Sequence, residues 1–204
     1  MSVRRSGLTR RNALALGVGA GVALVIKPAL AQEEERHGIS AFGDLKYPPD
    51  FKHFDFVNPQ APKGGLFSQL GATRQFNQNF LTFNSLNSFI FRGDAALGME
   101  LTFATLMSPS AIFSVSRDEP DAMYGLAAKS VQISPDRLVY RFTMRPEAKF
   151  HDGTKLTAHD AAFSLTALKT KGHPLILVQL RDMVSAEAVD DAKILLTFYN
   201  FIYI

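Results

Sequence analysis

Apolar and polar residues alternate most regularly between residues 124 and 150. Two predicted strands, Ser130–Ile133 and Leu138–Met144, flank a turn that contains proline and aspartate, both of which are favoured in tight turns. In the second strand Tyr140, Phe142 and Met144 share one face, because side chains alternate along a strand. The pattern predicts an antiparallel hairpin with one buried face. A second hairpin is predicted with strands Ala186–Val189 and Lys193–Phe198.

Between the two hairpins the apolar residues recur at the spacing of a helix. Thr157 is a good N-cap, and Asp160, three residues on, can complete a capping box. Gly172-His173-Pro174 is a typical helix end. The apolar face of this predicted helix consists of Ala161, Phe163, Leu165 and Leu168.

The remaining segments give weaker signals. Residues 32–36 read as a mobile charged tail, and residues 37–65 as extended chain and turns. We expect this proline-rich segment to lie over a surface, fixed by its aromatic residues Phe42, Tyr47, Phe51, Phe54 and Phe56. A short strand is predicted at Gly65–Leu70 and a short helix at Gly98–Met107.

The first 31 residues differ in composition from the rest of the chain. Basic residues precede an apolar run from Ala13 to Ile26, and Ala29-Leu30-Ala31 has the small-residue pattern that a signal peptidase recognises. The run is too short and too rich in glycine for a firm transmembrane helix. Arg10-Arg11, with Thr9 before the pair, favours a signal peptide of the twin-arginine type over the general secretory type, with cleavage after Ala31.

Charge and composition then exclude several classes of function. The formal charge is +3, but residues 1–31 hold five of the 22 basic side chains and none of the 19 acidic ones, so the rest has a net charge of −2. Without the leader there is no basic surface pattern for nucleic acid. The absence of cysteine excludes disulfides, thiolate metal sites and a catalytic cysteine.

Two His-Asp pairs are the only pattern that suggests catalysis. An exported metal-dependent hydrolase would use His151, Asp152 and His159. Against it, Asp152-Gly153 is a common turn pair and Asp160 is explained as the capping carboxylate. We therefore expect no catalytic residue, no metal and no cofactor, and retain the hydrolase only as the alternative. A secreted structural or adhesion module is a third possibility.

Residues 74–92 combine carboxamides with phenylalanines. Carboxamides both donate and accept hydrogen bonds, which suits a peptide backbone, and aromatic rings supply apolar walls. The competing interpretation assigns the phenylalanines to the core and the asparagines to turns. The predicted ligand contacts are Asn77, Asn79, Phe83, Asn84 and Asn87.

Several blocks of this sequence resemble one known family. The sequence resembles the N-terminal signature of family 5 extracellular solute-binding proteins at residues 126–131, 134–136 and 140–146, and again in the run Lys149 to Leu165 (KFHDGTKLTAHDAAFSL). The family usually has Glu in place of His159. Residues 37–47, 54–65 and 83–89 resemble the YejA-like branch. The resemblance extends from about His37 to Phe198.

This resemblance implies a fold, a partner and a location. The fold is α/β, mixed α+β in this chain: the N-terminal part of a two-lobed periplasmic-binding-protein fold, with antiparallel hairpins and short helices. The expected organisation is a signal peptide (1–31), an extended N-terminal segment (32–64), an incomplete first lobe (65–198) and a tail unlike the family (199–204). The implied function is capture of oligopeptides for the membrane permease of an ABC importer, by a monomer in the periplasm of a Gram-negative type cell, without catalysis or a stable membrane span.

Overall fold

The computed structural model describes residues 34–66, 84–89, 99–109, 111–112, 115–116, 119 and 121–200. In these residues the architecture is mixed α/β, with antiparallel sheets and short helices. The predicted leader, the tail after Asn200 and most of the predicted strand at Gly65–Leu70 lie outside them. In the part of the chain that is described, no helix has both the length and the apolar character needed to cross a membrane.

A four-stranded antiparallel sheet is built from the two predicted hairpins. Its order is β6-β7-β9-β8, with β6 at Ala128–Ile133, β7 at Val139–Met144, β8 at Met183–Ala188 and β9 at Lys193–Phe198. Both predicted hairpins are confirmed, and β8 begins three residues earlier than its alternation indicated. The central pairing joins β7 to β9, with Phe142 opposite Ile194.

Helix α1 (Ala158–Lys171) covers one face of this sheet. The predicted face of β7 is confirmed, because Tyr140, Phe142 and Met144 are buried while the residues between them are less so. Ala158 and Ala162 of the helix pack into the same core, together with Ile194 and Leu196 of β9. Small helix residues allow the helix backbone to lie close to the sheet.

The start of α1 follows the predicted capping box. The backbone N–H of Thr157 donates to Oδ2 of Asp160 at 2.8 Å, and the N–H of Asp160 donates to Oγ1 of Thr157 at 3.4 Å. The Thr157 hydroxyl and backbone N–H hold the pKa of the Asp160 carboxyl below its usual value. One part of the helix prediction is wrong: Phe163 is 75% exposed, because it lies opposite the Ala158 and Ala162 face.

A short second helix, α2 (Pro174–Gln179), follows α1 directly and was not predicted. Glycine is required at the junction, since a Cβ on Gly172 would lie 2.4 Å from the carbonyl oxygen of Leu168. Pro174 then occupies the first turn of α2, where its missing N–H has no cost. The same residues that end α1 therefore begin α2.

A smaller sheet has the order β1-β5-β2, with β1 at Gly38–Ser40, β2 at Met107–Pro109 and β5 at Ala122–Gly125. Two short strands, β3 (Ala111–Ile112) and β4 (Val115–Ser116), pair with each other. A helix is predicted from Gly98 to Met107, and among the described residues of that range only Met99–Thr102, a 3-10 turn, is helical. Met107 already belongs to β2, so the end of that prediction is wrong.

An aromatic cluster attaches the proline-rich segment to the smaller sheet. Tyr47 and Tyr124 are buried with their ring centroids 5.4 Å apart, and Phe51 and Phe54 pack against both. Burial, together with a hydrogen bond to Glu119, raises the pKa of Tyr124 to about 12. The predicted role of these aromatics is confirmed except for Phe42, which is 79% exposed.

Candidate functional site

The predicted ligand contacts fall in two groups. Asn77, Asn79 and Phe83 lie outside the described residues, whereas Asn84 and Asn87 belong to the described segment 84–89, which we call the asparagine segment. Both of these asparagines are exposed. Their exposure leaves them accessible to a ligand.

The asparagine segment forms a tight local turn. The N–H of Asn87 donates to Oγ of Ser85 at 3.0 Å, and Oδ1 of Asn87 accepts from the N–H of Phe89 at 3.0 Å. This turn is the competing use that sequence reasoning assigned to asparagines. It also fixes the direction in which the exposed carboxamide of Asn87 points.

Two contacts attach the asparagine segment to the rest of the lobe. The carbonyl oxygen of Phe89 accepts a hydrogen bond of 2.8 Å from the backbone N–H of His173, at the junction of α1 and α2. The ring of Phe89 meets that of Phe103 edge to face, with centroids 4.7 Å apart. Ser88, which precedes Phe89 in the sequence, is buried. The segment is therefore held at its C-terminal end, next to the exposed asparagines.

The residues of the hydrolase alternative are not assembled into a site. Asp152 accepts hydrogen bonds from the N–H and hydroxyl of Thr154, which lower the pKa of its carboxyl and occupy it in a turn. His159 is exposed, and its Nε2 lies 3.6 Å from Oδ1 of Asp191. Across the described part of the chain, no three residues of the metal-ligating types lie close enough together to hold an ion.

The structure adds a feature that the sequence did not indicate: two open grooves beside β1. They have volumes of about 480 and 430 Å³, and both are lined by Glu34, Arg36, Gly38, Ser40 and Gly43. The larger groove is bounded on its other side by the turn between β6 and β7. The sequence predicts a mobile tail followed by extended chain and turns at these residues, and neither its charge nor its periodicity indicates a concave surface.

The start of the described chain is bound to the larger sheet, which corrects the prediction of a mobile tail there. Arg36 exchanges two backbone hydrogen bonds with Val131, of 2.9 and 2.8 Å. The carboxylate of Glu35 accepts a hydrogen bond from the Ser130 hydroxyl, which lowers the pKa of Glu35. Local composition could not predict this, because both partners lie almost a hundred residues further along the chain.

Comparison with family models matches residues 122–200 to "Bacterial extracellular solute-binding proteins, family 5 Middle". The matched range begins at the first residue of β5 and continues just past β9, so it contains the four-stranded sheet and both helices. The family consists of solute-binding proteins, so the prediction that the chain is not an enzyme is confirmed and the hydrolase alternative is wrong.

Two curated relatives agree with this match. "Peptidoglycan-binding protein YepA" of Agrobacterium fabrum is 37% identical over 173 residues, which cover 83% of this chain and 26% of the relative. "Probable peptide-binding protein YejA" of the same organism is 32% identical over 191 residues, covering 94% and 29%. Among solved structures, NikZ from Campylobacter jejuni in complex with Ni(L-His) is 29% identical with a TM-score of 0.41, covering 49% of this chain and 19% of that one.

This chain spans about a quarter of the length of the curated relatives that it matches. The similarity to YejA covers 94% of this chain, and the family match contains both hairpins and the capped helix. The chain therefore belongs to the bacterial extracellular solute-binding proteins of family 5, in their YejA-like branch.

Proposed function

We propose that the protein captures oligopeptides outside the cytoplasm and delivers them to the membrane permease of an ABC importer. The observation that carries the proposal is the family match over residues 122–200, together with relatives whose names specify peptide or peptidoglycan binding. Peptide and peptidoglycan share peptide bonds, and carboxamide side chains recognise such bonds because they donate and accept at once. The names of the relatives differ between peptide and peptidoglycan, so the ligand class is the point to be tested.

Binding in this scheme depends on two lobes that close around the ligand. Closure buries most of the ligand surface and shifts an equilibrium between open and closed forms, of which the permease recognises the closed one. Residues 65–198 belong to the first lobe, and the asparagine segment, with Asn77, Asn79 and Phe83 before it, contributes ligand contacts. Since the chain covers about a quarter of its relatives, it supplies at most one wall of such a cleft.

The experiment is thermal unfolding with and without a mixed pool of tri- to octapeptides. A ligand present at about 100 times its Kd stabilises the folded protein by about 2.7 kcal/mol, which is readily measured as a rise in Tm. We expect a clear rise for the full-length YejA of Agrobacterium fabrum and a much smaller one for this chain, because one wall leaves the ligand in solvent. The matched control is a pool of free amino acids. If the relative shows no peptide-dependent rise, the peptide assignment is wrong.

Export is the second element of the proposal. Residues 1–31 act as a signal peptide of the twin-arginine type, and cleavage after Ala31 delivers the protein to the periplasm of a Gram-negative type cell. Mass spectrometry of the N-terminus after expression in such a host should find Gln32 as the first residue. Arg10→Lys with Arg11→Lys should abolish export by the twin-arginine route, whereas unchanged export would assign the leader to the general secretory route.

A further inference from the structure

His173 connects helix α2 to the asparagine segment through separate atoms. Its imidazole Nδ1 accepts a hydrogen bond of 3.2 Å from the N–H of Leu175 and so caps α2. Its carbonyl oxygen accepts from the N–H of Ile176 at 2.8 Å, and its own N–H donates to Phe89 in the asparagine segment at 2.8 Å. The residue is only 6% exposed, so the imidazole ring is fixed by packing as well as by the cap.

The neighbours of His173 fix its peptide group from both sides. Gly172 lies against the carbonyl oxygen of Leu168, to which its N–H donates at 3.0 Å, and Pro174 has a fixed φ angle. The direction of the His173 N–H therefore depends on the end of α1 and the start of α2 together. Loss of the imidazole cap would free the α2 side of this arrangement.

We propose that His173 is a positioning residue for the asparagine segment. By capping α2, its side chain holds the backbone N–H that anchors the Phe89 carbonyl, and so keeps Asn84 and Asn87 in one orientation before a ligand arrives. Such preorganisation lowers the entropy lost on binding. The inference rests on the proposed function for its consequence, because it assigns Asn84 and Asn87 to the ligand, but its structural part can be tested without any ligand.

The chain offers a matched set of variants for this test. His173→Ala removes the cap of α2, and His173→Asn keeps an N-cap acceptor without the imidazole. Thr157→Ala is the control, since it removes the cap of α1, a perturbation of the same kind, without touching the asparagine segment. All three are made in the full chain and compared at equal distance below their own Tm.

Hydrogen exchange of the Asn87 and Phe89 amides is the first readout, because both donate within the asparagine segment. We expect exchange in His173→Ala to rise by about five- to tenfold, the factor that corresponds to a lost cap. His173→Asn should remain within about twofold of the wild type and Thr157→Ala should leave both amides unchanged. Equal acceleration in Thr157→Ala, or none in His173→Ala, would overturn the proposal.

A measurement on the wild type keeps the test decisive if His173→Ala does not fold. With increasing urea below the unfolding transition, the amides of Leu175 and Phe89 should open together, with one free energy and one slope, if the cap and the anchor form one unit. Different slopes for the two amides would show that the asparagine segment opens independently and would refute the coupling.

The peptide pool supplies the second readout and separates the two proposals. If peptides raise the Tm of neither the wild-type chain nor the YejA relative, the peptide function is refuted. The hydrogen-exchange result then decides the role of His173 by itself. Where peptides do raise the Tm, His173→Ala should lose most of that rise, and His173→Asn and Thr157→Ala should retain it. An undiminished rise in His173→Ala would contradict a positioning role.

Discussion

Substitutions at Ile194 test whether the core between α1 and the four-stranded sheet stabilises this chain as its packing indicates. The side chain is fully buried at 0% exposure and lies opposite Phe142 in the central strand pair. It belongs to the same core as Ala158 and Ala162 of α1. A cavity at this position would therefore weaken the packing of α1 on β9.

The magnitude follows from the atoms removed. Ile194→Val deletes one methylene, worth about 0.8 kcal/mol of transfer free energy, and we expect a loss of about 1 kcal/mol. Ile194→Ala deletes about three times as much apolar volume and leaves a cavity, so we expect the free energy of unfolding to fall by about 3 kcal/mol, within a range of roughly 2–5. The larger loss is a substantial part of the stability of an ordinary domain.

Urea unfolding followed by far-ultraviolet circular dichroism and tyrosine fluorescence measures these values, since the chain has no tryptophan. The matched control is Val189→Ala in the same hairpin, where the side chain is 61% exposed and the expected change is within about 0.5 kcal/mol. The m value should stay constant through the series. A loss for Ile194→Ala no larger than that for Val189→Ala would refute the assignment of this core.

Three further predictions concern single interactions. Thr157→Ala should lower the free energy of unfolding by about 1 kcal/mol through loss of the N-cap, while Thr157→Ser should stay close to the wild type; equal losses would exclude the hydroxyl as the cause. The pKa of Glu35 is lowered in the folded state, so its contribution to stability is complete at pH values above its unfolded-state pKa of about 4.5. The contribution is lost as the pH falls through the folded-state pKa. Ser130→Ala should therefore weaken the acid dependence of Tm below that value, and an unchanged acid profile would contradict the role of this hydroxyl. Gly125→Ala should lower the free energy of unfolding by about 1–3 kcal/mol, because its Cβ would lie 2.5 Å from the carbonyl oxygen of Ala128, and a thermal melt equal to that of the wild type would contradict this contact.

The predictions that succeeded concern interactions between residues near one another in sequence. The capping box needs only Thr157 and Asp160, three residues apart, and each hairpin needs an alternating pattern around a turn. Because these signals are local, the amino-acid sequence contains all the information that they require. The family resemblance rests in part on the same blocks, and the family match over residues 122–200 and the YejA relatives confirm it.

The features that sequence reasoning missed depend on partners distant in the chain. The sequence predicts a mobile tail that includes Arg36, yet Arg36 pairs with Val131 at the edge of the larger sheet. Phe163 is exposed because helix α1 packs on the sheet through the small residues Ala158 and Ala162 and not through this larger aromatic ring.

The asparagine segment combines both kinds of information. Its composition marked Asn84 and Asn87 as polar residues among aromatics, which is a local signal. Its attachment to His173 joins residues more than eighty positions apart, and no periodicity encodes such a contact. Local chemistry thus specified the strands, the capped helix and the polar residues that we propose as ligand contacts. Long-range hydrogen bonds and packing, which exist only once the chain has folded, decided what holds those residues in place.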